Sequence, residues 1–109
     1  MAQDYIILHE EKNNDNGIIA INKSVFQSIA EISVSDIENA CTSIGKFNKP
    51  IQVKIVKNKL EVTADIKVRY GANVNTTCEL VQNKIYENIL FMTGYKVNDV
   101  KVNVEGFEI

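Results

Sequence analysis

The chain has few of the residues from which metal, phosphate and nucleophilic sites are built. Tryptophan is absent, His9 is the only histidine, and the two cysteines, Cys41 and Cys78, belong to no paired motif. These residues have no zinc-ligand spacing, and His9 is the only candidate for a base near neutral pH. The five glycines form neither a GxGxxG nor a GxxxxGK loop. We therefore predict no metal, no cofactor and no enzymatic activity.

Charge of one sign and long apolar runs are also lacking. Twelve basic residues face 14 acidic ones, so the net charge is −2 and gives no long-range attraction to nucleic acid or anionic lipid. No apolar run approaches the roughly 20 residues of a membrane-spanning helix. The first residues, Met1 to Tyr5, have neither the basic region nor the apolar run of a signal peptide. We expect a cytoplasmic protein without direct membrane insertion, folded as a single domain over residues 1–109.

Alternating apolar and polar residues predict strands in two parts of the chain. The first comprises residues 51–55 and the longer run from Leu60 to Tyr70, joined by a turn at Asn58-Lys59. This pattern is typical of an antiparallel hairpin with one dry face and one wet face. Near the end of the chain, three valines alternate with polar residues and predict a last strand: Val100, Val102 and Val104 with Lys101, Asn103 and Glu105.

Two amphipathic segments predict helices. Asn22 suits an N-cap, and a helix over about 23–33 would bury Val25, Phe26, Ile29 and Ile32. The second helix runs from about Asn75 to Thr93, and Gly94 supplies the left-handed residue that ends it. Its predicted core stripe is Cys78, Val81, Ile85, Ile89 and Met92. Leu80 and Phe91 lie off that stripe, so the helix has a second apolar side.

These elements predict an α+β fold. We expect a mainly antiparallel sheet of three to four strands, with two helices packed on one face and the other face wet. Residues Tyr5 to Leu8 are short enough either to add an edge strand or to pack loosely, and Ile37 to Ile44 is a candidate for a further edge strand.

Several short motifs, in this order, resemble those of the alkaline shock protein family of Gram-positive bacteria. They are Gly17 to Ile21, Val68-Arg69-Tyr70-Gly71, Val81-Gln82, Thr93-Gly94 and Val100 to Val104. The resemblance implies a non-enzymatic envelope-stress or housekeeping protein. Some members are held near the membrane by a membrane-bound partner, and some are linked to cell-wall homeostasis or lipid metabolism.

From this we derive the hypothesis of an adaptor or self-assembling scaffold in cell-envelope or lipid homeostasis. Its partners would be proteins, among them a membrane-anchored one, and it would form a homo-oligomer. If the second helix makes the contact, Leu80 and Phe91 are the candidate residues, unless both simply pack against the first helix. If the sheet makes it, the candidates are Lys67, Arg69, Lys101 and Asn103.

A small KH-like RNA-binding module is the alternative function. A three-stranded sheet with helices on one face resembles that fold, but the GXXG loop that clamps the nucleic acid is missing. Basic side chains on the wet face are interspersed with Glu61, Asp65 and Glu105, and Tyr70 is predicted on the dry face. We therefore expect no nucleic acid among the partners.

Overall fold

The computed structural model describes residues 2–8, 18–43 and 49–109, so His9, Gly17 and Ile44 lie outside the described residues. Within these ranges, two helices and seven strands follow one another. They are β1 (Ala2–Gln3), β2 (Tyr5–Leu8), β3 (Ile19–Asn22), α1 (Lys23–Ser35), β4 (Ala40–Thr42), β5 (Ile51–Val56), β6 (Lys59–Arg69), α2 (Val74–Thr93) and β7 (Asp99–Glu108).

Strand β6 is the centre of the main sheet. On one edge it pairs antiparallel with β5 along Lys59–Ala64 and then with β4 along Ile66–Val68, so these two strands lie end to end. Strand β7 runs parallel to β6 along the other edge. The α+β class and the mainly antiparallel sheet are confirmed, and the two-residue β1, paired with β5, brings the sheet to five strands. Strands β2 and β3 form a separate antiparallel pair.

The dry face of the sheet carries the core. Leu60, Val62, Ala64, Ile66 and Val68 are fully buried, and they belong to one cluster with the buried residues of both helices. Helix α1 packs over β4 and β5, while α2 packs over β7 and against α1. The two helices therefore cover one face, as predicted. Tyr70 was predicted on this dry face but is 73% exposed, because it follows the last residue of β6 and contacts Phe107 at the rim.

The β5–β6 turn lies one residue earlier than predicted. Its central residues are Lys57 (φ 53°) and Asn58 (φ 58°), and Lys59 already pairs with Val56. Two left-handed residues give the turn a twist that matches the flanking strands, and asparagine tolerates this conformation well. Asn58 is also held from outside, since its side chain accepts from the Ile7 N–H at 2.9 Å and donates to the Ile7 carbonyl at 3.2 Å.

Helix α1 begins as predicted and buries a different stripe. The Asn22 side chain accepts from the Ser24 N–H at 2.9 Å and caps the helix. Its buried residues are Phe26, Ile29, Ala30, Ser33 and Val34, whereas Val25 and Ile32 are exposed. The prediction for these two was wrong because the small residues Ala30 and Ser33 provide the close approach to the neighbouring elements.

Helix α2 is capped at both ends by the chemistry that its sequence suggests. Asn73 accepts from the Thr76 N–H at 3.0 Å, and Gly94 (φ 76°) supplies the predicted left-handed end. Val81, Ile85 and Ile89 are fully buried. Met92, predicted in the same stripe, is 59% exposed, because it lies in the last turn, beside Val25 and the β2–β3 pair.

Candidate interaction surfaces

The outer side of α2 exposes two large apolar side chains. Phe91 is 88% exposed and Leu80 is 50% exposed, so neither is buried against α1. They are 11 residues apart, which is close to three helical turns, and therefore point in nearly the same direction about 16 Å apart. Ile85 and Ile89, which anchor the helix in the core, lie on its opposite side. We call the side that carries Leu80 and Phe91 the outer face of α2.

Further apolar residues, some exposed and some half-buried, lie at the C-terminal end of α2, on α1 and on the β2–β3 pair. Tyr5, Leu8, Ile19, Ile21, Val25 and Met92 line an open groove of about 580 Å³. Sequence reasoning missed this groove because it assigned Val25 and Met92 to the core. The spacing of Val25 and Ile32, seven residues apart, is the signal that could have indicated a second apolar side on α1.

The four polar candidates on the wet face do not form a cluster. Lys101 lies opposite Thr63, whereas Lys67 lies opposite Gly106 and Arg69 opposite Glu108. Four residues along β6 separate the row of Lys101 from that of Lys67, a distance of about 13 Å. Asn103 lies opposite Asp65 and donates to its carboxylate at 3.0 Å, so its amide is already engaged within the sheet.

Acidic and basic side chains are interspersed over the wet face. Lys54 lies opposite Glu61, and Asp99 follows on the other edge of β6. A mixed pattern of this kind produces little net potential, so it does not favour a polyanionic ligand. Tyr70 and Phe107 form an exposed aromatic pair with ring centroids 6.2 Å apart. Both residues continue the dry-face positions of their strands, so Lys67 and Arg69, which lie on the wet face, do not flank the two rings.

The cysteines and acidic residues offer little further chemistry. Cys41 and Cys78 are free thiols, and burial raises the pKa of the Cys78 thiol, which keeps it protonated. Within residues 2–8, 18–43 and 49–109, no three His, Cys, Asp or Glu side chains gather as a metal site would require. Among the same residues, neither helix has the length and apolarity needed to cross a membrane.

Comparison with known families identifies the family of the chain. The model of the alkaline shock protein 23 family, described as having a cell envelope-related function, matches residues 36–109. The chain belongs to this family. The match extends from the end of α1 to β7 and includes the outer face of α2 and the wet face of the sheet. The β2–β3 pair and α1 precede it. No curated protein matches the chain.

Membership in the alkaline shock protein family confirms the resemblance carried by the Thr93-Gly94 and Val100 to Val104 motifs, and it relates the function of the chain to the cell envelope. Gly94 ends α2, and the three valines form the inner side of β7. These motifs are therefore structural.

Proposed function

We propose that this protein is a non-enzymatic adaptor or self-assembling scaffold in cell-envelope or lipid homeostasis. The family relates it to the envelope. The observation that carries the rest is the outer face of α2, where a phenylalanine is almost wholly exposed to solvent. On this proposal the protein acts by holding other proteins together and stays at the membrane periphery through a membrane-anchored partner.

The energetics favour the outer face of α2 over the wet face as the contact. Covering an exposed phenylalanine or leucine stabilises a complex by about 1.5–3 kcal/mol per side chain. Exposed ion pairs, in contrast, contribute about 0–1 kcal/mol. Asn103 would also have to give up its bond to Asp65 before it could bind a partner. Burial of Leu80 and Phe91 by a partner protein would therefore stabilise a complex more than contacts on the wet face.

The groove beside Met92 is a second apolar surface, at the C-terminal end of α2. Its apolar lining side chains come from α1, α2 and the β2–β3 pair, so it joins three elements into one concave surface. Aromatic and aliphatic side chains around a groove are typical of protein-binding sites. Phe91 precedes Met92 in the sequence, and their side chains point about 100° apart around α2.

Serine substitutions on the outer face of α2 test the contact. In the double variant Leu80→Ser and Phe91→Ser we expect association to weaken at least tenfold while the fold is retained, because both side chains are exposed. Sedimentation at several concentrations measures the association, and circular dichroism checks the fold. The matched control, Asn75→Ser with Glu79→Ser, changes two exposed polar residues of the same helix that lie away from the outer face.

The possible results separate the roles of these residues. Weaker association of the double variant, with an unchanged control, supports the contact. Unfolding of the double variant would assign Leu80 and Phe91 to the core. Equal association of wild type, the double variant and the control would contradict a contact through the outer face of α2.

A further inference from the structure

The outer face of α2 has the residue spacing of a helix–helix seam. Along it, at intervals of four, three and four residues, lie Leu80, Lys84, Glu87 and Phe91. At 100° per residue, these four positions lie within about 60° of one another around the helix. The a and d positions of a coiled coil have the same spacing, and their side chains pack between those of a facing helix. A second helix laid on this seam would therefore contact all four side chains.

The seam lies on the side of α2 that adjoins α1. Gln82 donates to the Val100 carbonyl of β7 at 3.2 Å, which identifies the flank of α2 next to the sheet. Asn88 donates to the Ser33 hydroxyl of α1 at 2.8 Å and identifies the opposite flank. Around the helix, Phe91 is about 180° from Gln82 and about 60° from Asn88. A helix on the seam would therefore lie above the groove between α2 and α1.

Helix α1 exposes apolar side chains along the same groove. Val25 and Ile32 are both exposed and are seven residues apart, so they point in nearly the same direction. That direction is about 80–100° from Ser33, the residue that contacts α2. Val25 also lines the groove beside Met92, which places this side of α1 next to α2. Two exposed apolar residues from each helix therefore border the space above the seam.

The seam is complementary to itself when two α2 helices run antiparallel. With a twofold axis at the middle of the seam, Leu80 lies opposite Phe91 of the second copy. The same axis places Lys84 opposite Glu87 of the second copy, and the symmetry produces each pair twice. Facing positions of an antiparallel pair are thus apolar at both ends and oppositely charged in the centre. Charged and polar residues within such a seam set its register and orientation.

Other registers and orientations are less favourable. A shift of one antiparallel helix by seven residues places Leu80 opposite Lys84 of the second copy, and the reverse shift places Phe91 opposite Glu87. Each charge then loses water without gaining a partner, which costs free energy. Two parallel helices would place identical charges opposite each other at both central positions. Charge therefore selects the antiparallel register with Lys84 opposite Glu87.

The burial of Lys84 gives a separate reason for an acidic partner. Its side chain is half-buried and forms no ion pair within the part of the chain that the structure describes, whereas Glu87 is exposed. A purely apolar surface laid on the seam would bury this charge alone, at a high cost in free energy. A second copy avoids that cost because its own Glu87 arrives opposite Lys84.

We propose that a second copy of this chain packs its α2 antiparallel on the outer face of α2, with Leu80 opposite Phe91 and Lys84 opposite Glu87. The inference rests on the proposed self-assembly and names its surface and its register. Ile32 of α1 then contacts the incoming helix. The helices of both copies form one layer between two sheets, and the wet faces of the sheets lie on the outside of the dimer.

Charge reversals test the register. Lys84→Glu and Glu87→Lys each replace two opposite-charge pairs by two like-charge pairs, and we expect each to raise the dimer Kd about tenfold or more. The double reversal restores opposite charges and should return the Kd to within about threefold of wild type. An equimolar mixture of the two single variants should also associate like wild type, because each chain supplies the charges that the other lacks. Sedimentation at several protein concentrations and low salt measures all four samples.

Matched controls come from the wet face of the sheet. Lys54 and Glu61 face each other across β5 and β6, so Lys54→Glu and Glu61→Lys change the net charge identically without touching α2. We expect both control variants to associate like wild type. Circular dichroism checks that every variant is folded before its association is compared.

The outcomes distinguish this inference from the proposed function. Single reversals that weaken the dimer more than the controls, with recovery in the mixture and in the double reversal, support the antiparallel seam. Weakening without recovery, or a dimer that keeps its Kd in both single reversals, overturns it. A wild-type protein that stays monomeric at every concentration also overturns it, whereas loss of envelope partners by the Leu80→Ser and Phe91→Ser variant would still support the adaptor.

Discussion

Two sides of α2 carry similar apolar side chains and have opposite surroundings. Val81, Ile85 and Ile89 are fully buried against the sheet and α1, whereas Leu80 and Phe91 face solvent. Between these sides, the Asn88 side chain donates to the Ser33 hydroxyl of α1 at 2.8 Å. One helix therefore combines a side that packs into the core with a side whose apolar residues are not needed for folding. Substitutions around the helix should therefore have graded effects on stability.

Ile85→Ala should have the largest effect. It leaves a cavity under α2 at a fully buried position, and we expect the free energy of unfolding to fall by about 2–5 kcal/mol. Urea denaturation measures the change. The control Ile85→Val removes a single methyl group and should cost about 0.5–1.5 kcal/mol. If Ile85→Ala costs no more than a surface substitution, the inner side of α2 is not the anchor that the structure shows.

Asn88→Ala, at the contact with α1, should have an intermediate effect of about 1 kcal/mol. It removes one hydrogen bond, but the Ser33 hydroxyl keeps its own bond to the Ile29 carbonyl at 2.7 Å, so no buried donor is left unsatisfied. A double-mutant cycle with Ser33→Ala measures the coupling between the two residues. Additive losses in the cycle would contradict a direct contribution of this bond.

Phe91→Ser should have the smallest effect on the fold. Because the side chain is almost fully exposed, we expect the free energy of unfolding to change by about 0.5 kcal/mol or less. Thermal or urea denaturation at low protein concentration separates this value from any stabilisation by association. A fall in the free energy of unfolding comparable to that of Ile85→Ala would contradict the difference between the buried side and the outer face of α2.

Much of the sheet could be predicted from the sequence because alternation is a local signal. Leu60 to Val68 alternate strictly, and the structure buries each of their apolar members. The sequence predicts the turn one residue late, at Asn58-Lys59, whereas the left-handed pair is Lys57 and Asn58. The sequence pattern does not show that β7 runs parallel to β6, since parallel and antiparallel pairing require the same alternation.

The helix faces were harder to predict. Val25, Ile32 and Met92 have the same hydrophobicity as core residues, but the structure leaves all three exposed. Hydrophobicity indicates that burial of a side chain is favourable, but it does not indicate which neighbouring surface buries that side chain. Small residues such as Ala30 and Ser33, which bring α1 close to its neighbours, carry only a weak signal in a single sequence. The spacing places Leu80 and Phe91 off the core stripe, and the structure leaves both exposed.

Recovery of envelope proteins from cells of the native host tests the central claim most directly. Tagged wild type, the Leu80→Ser and Phe91→Ser variant, and the Asn75→Ser and Glu79→Ser control are compared for the proteins that they retain. The account predicts that wild type and control recover the same membrane-anchored or lipid-metabolism proteins, and that the double variant loses them while staying folded. Equal recovery by all three, or recovery of RNA in their place, would contradict it.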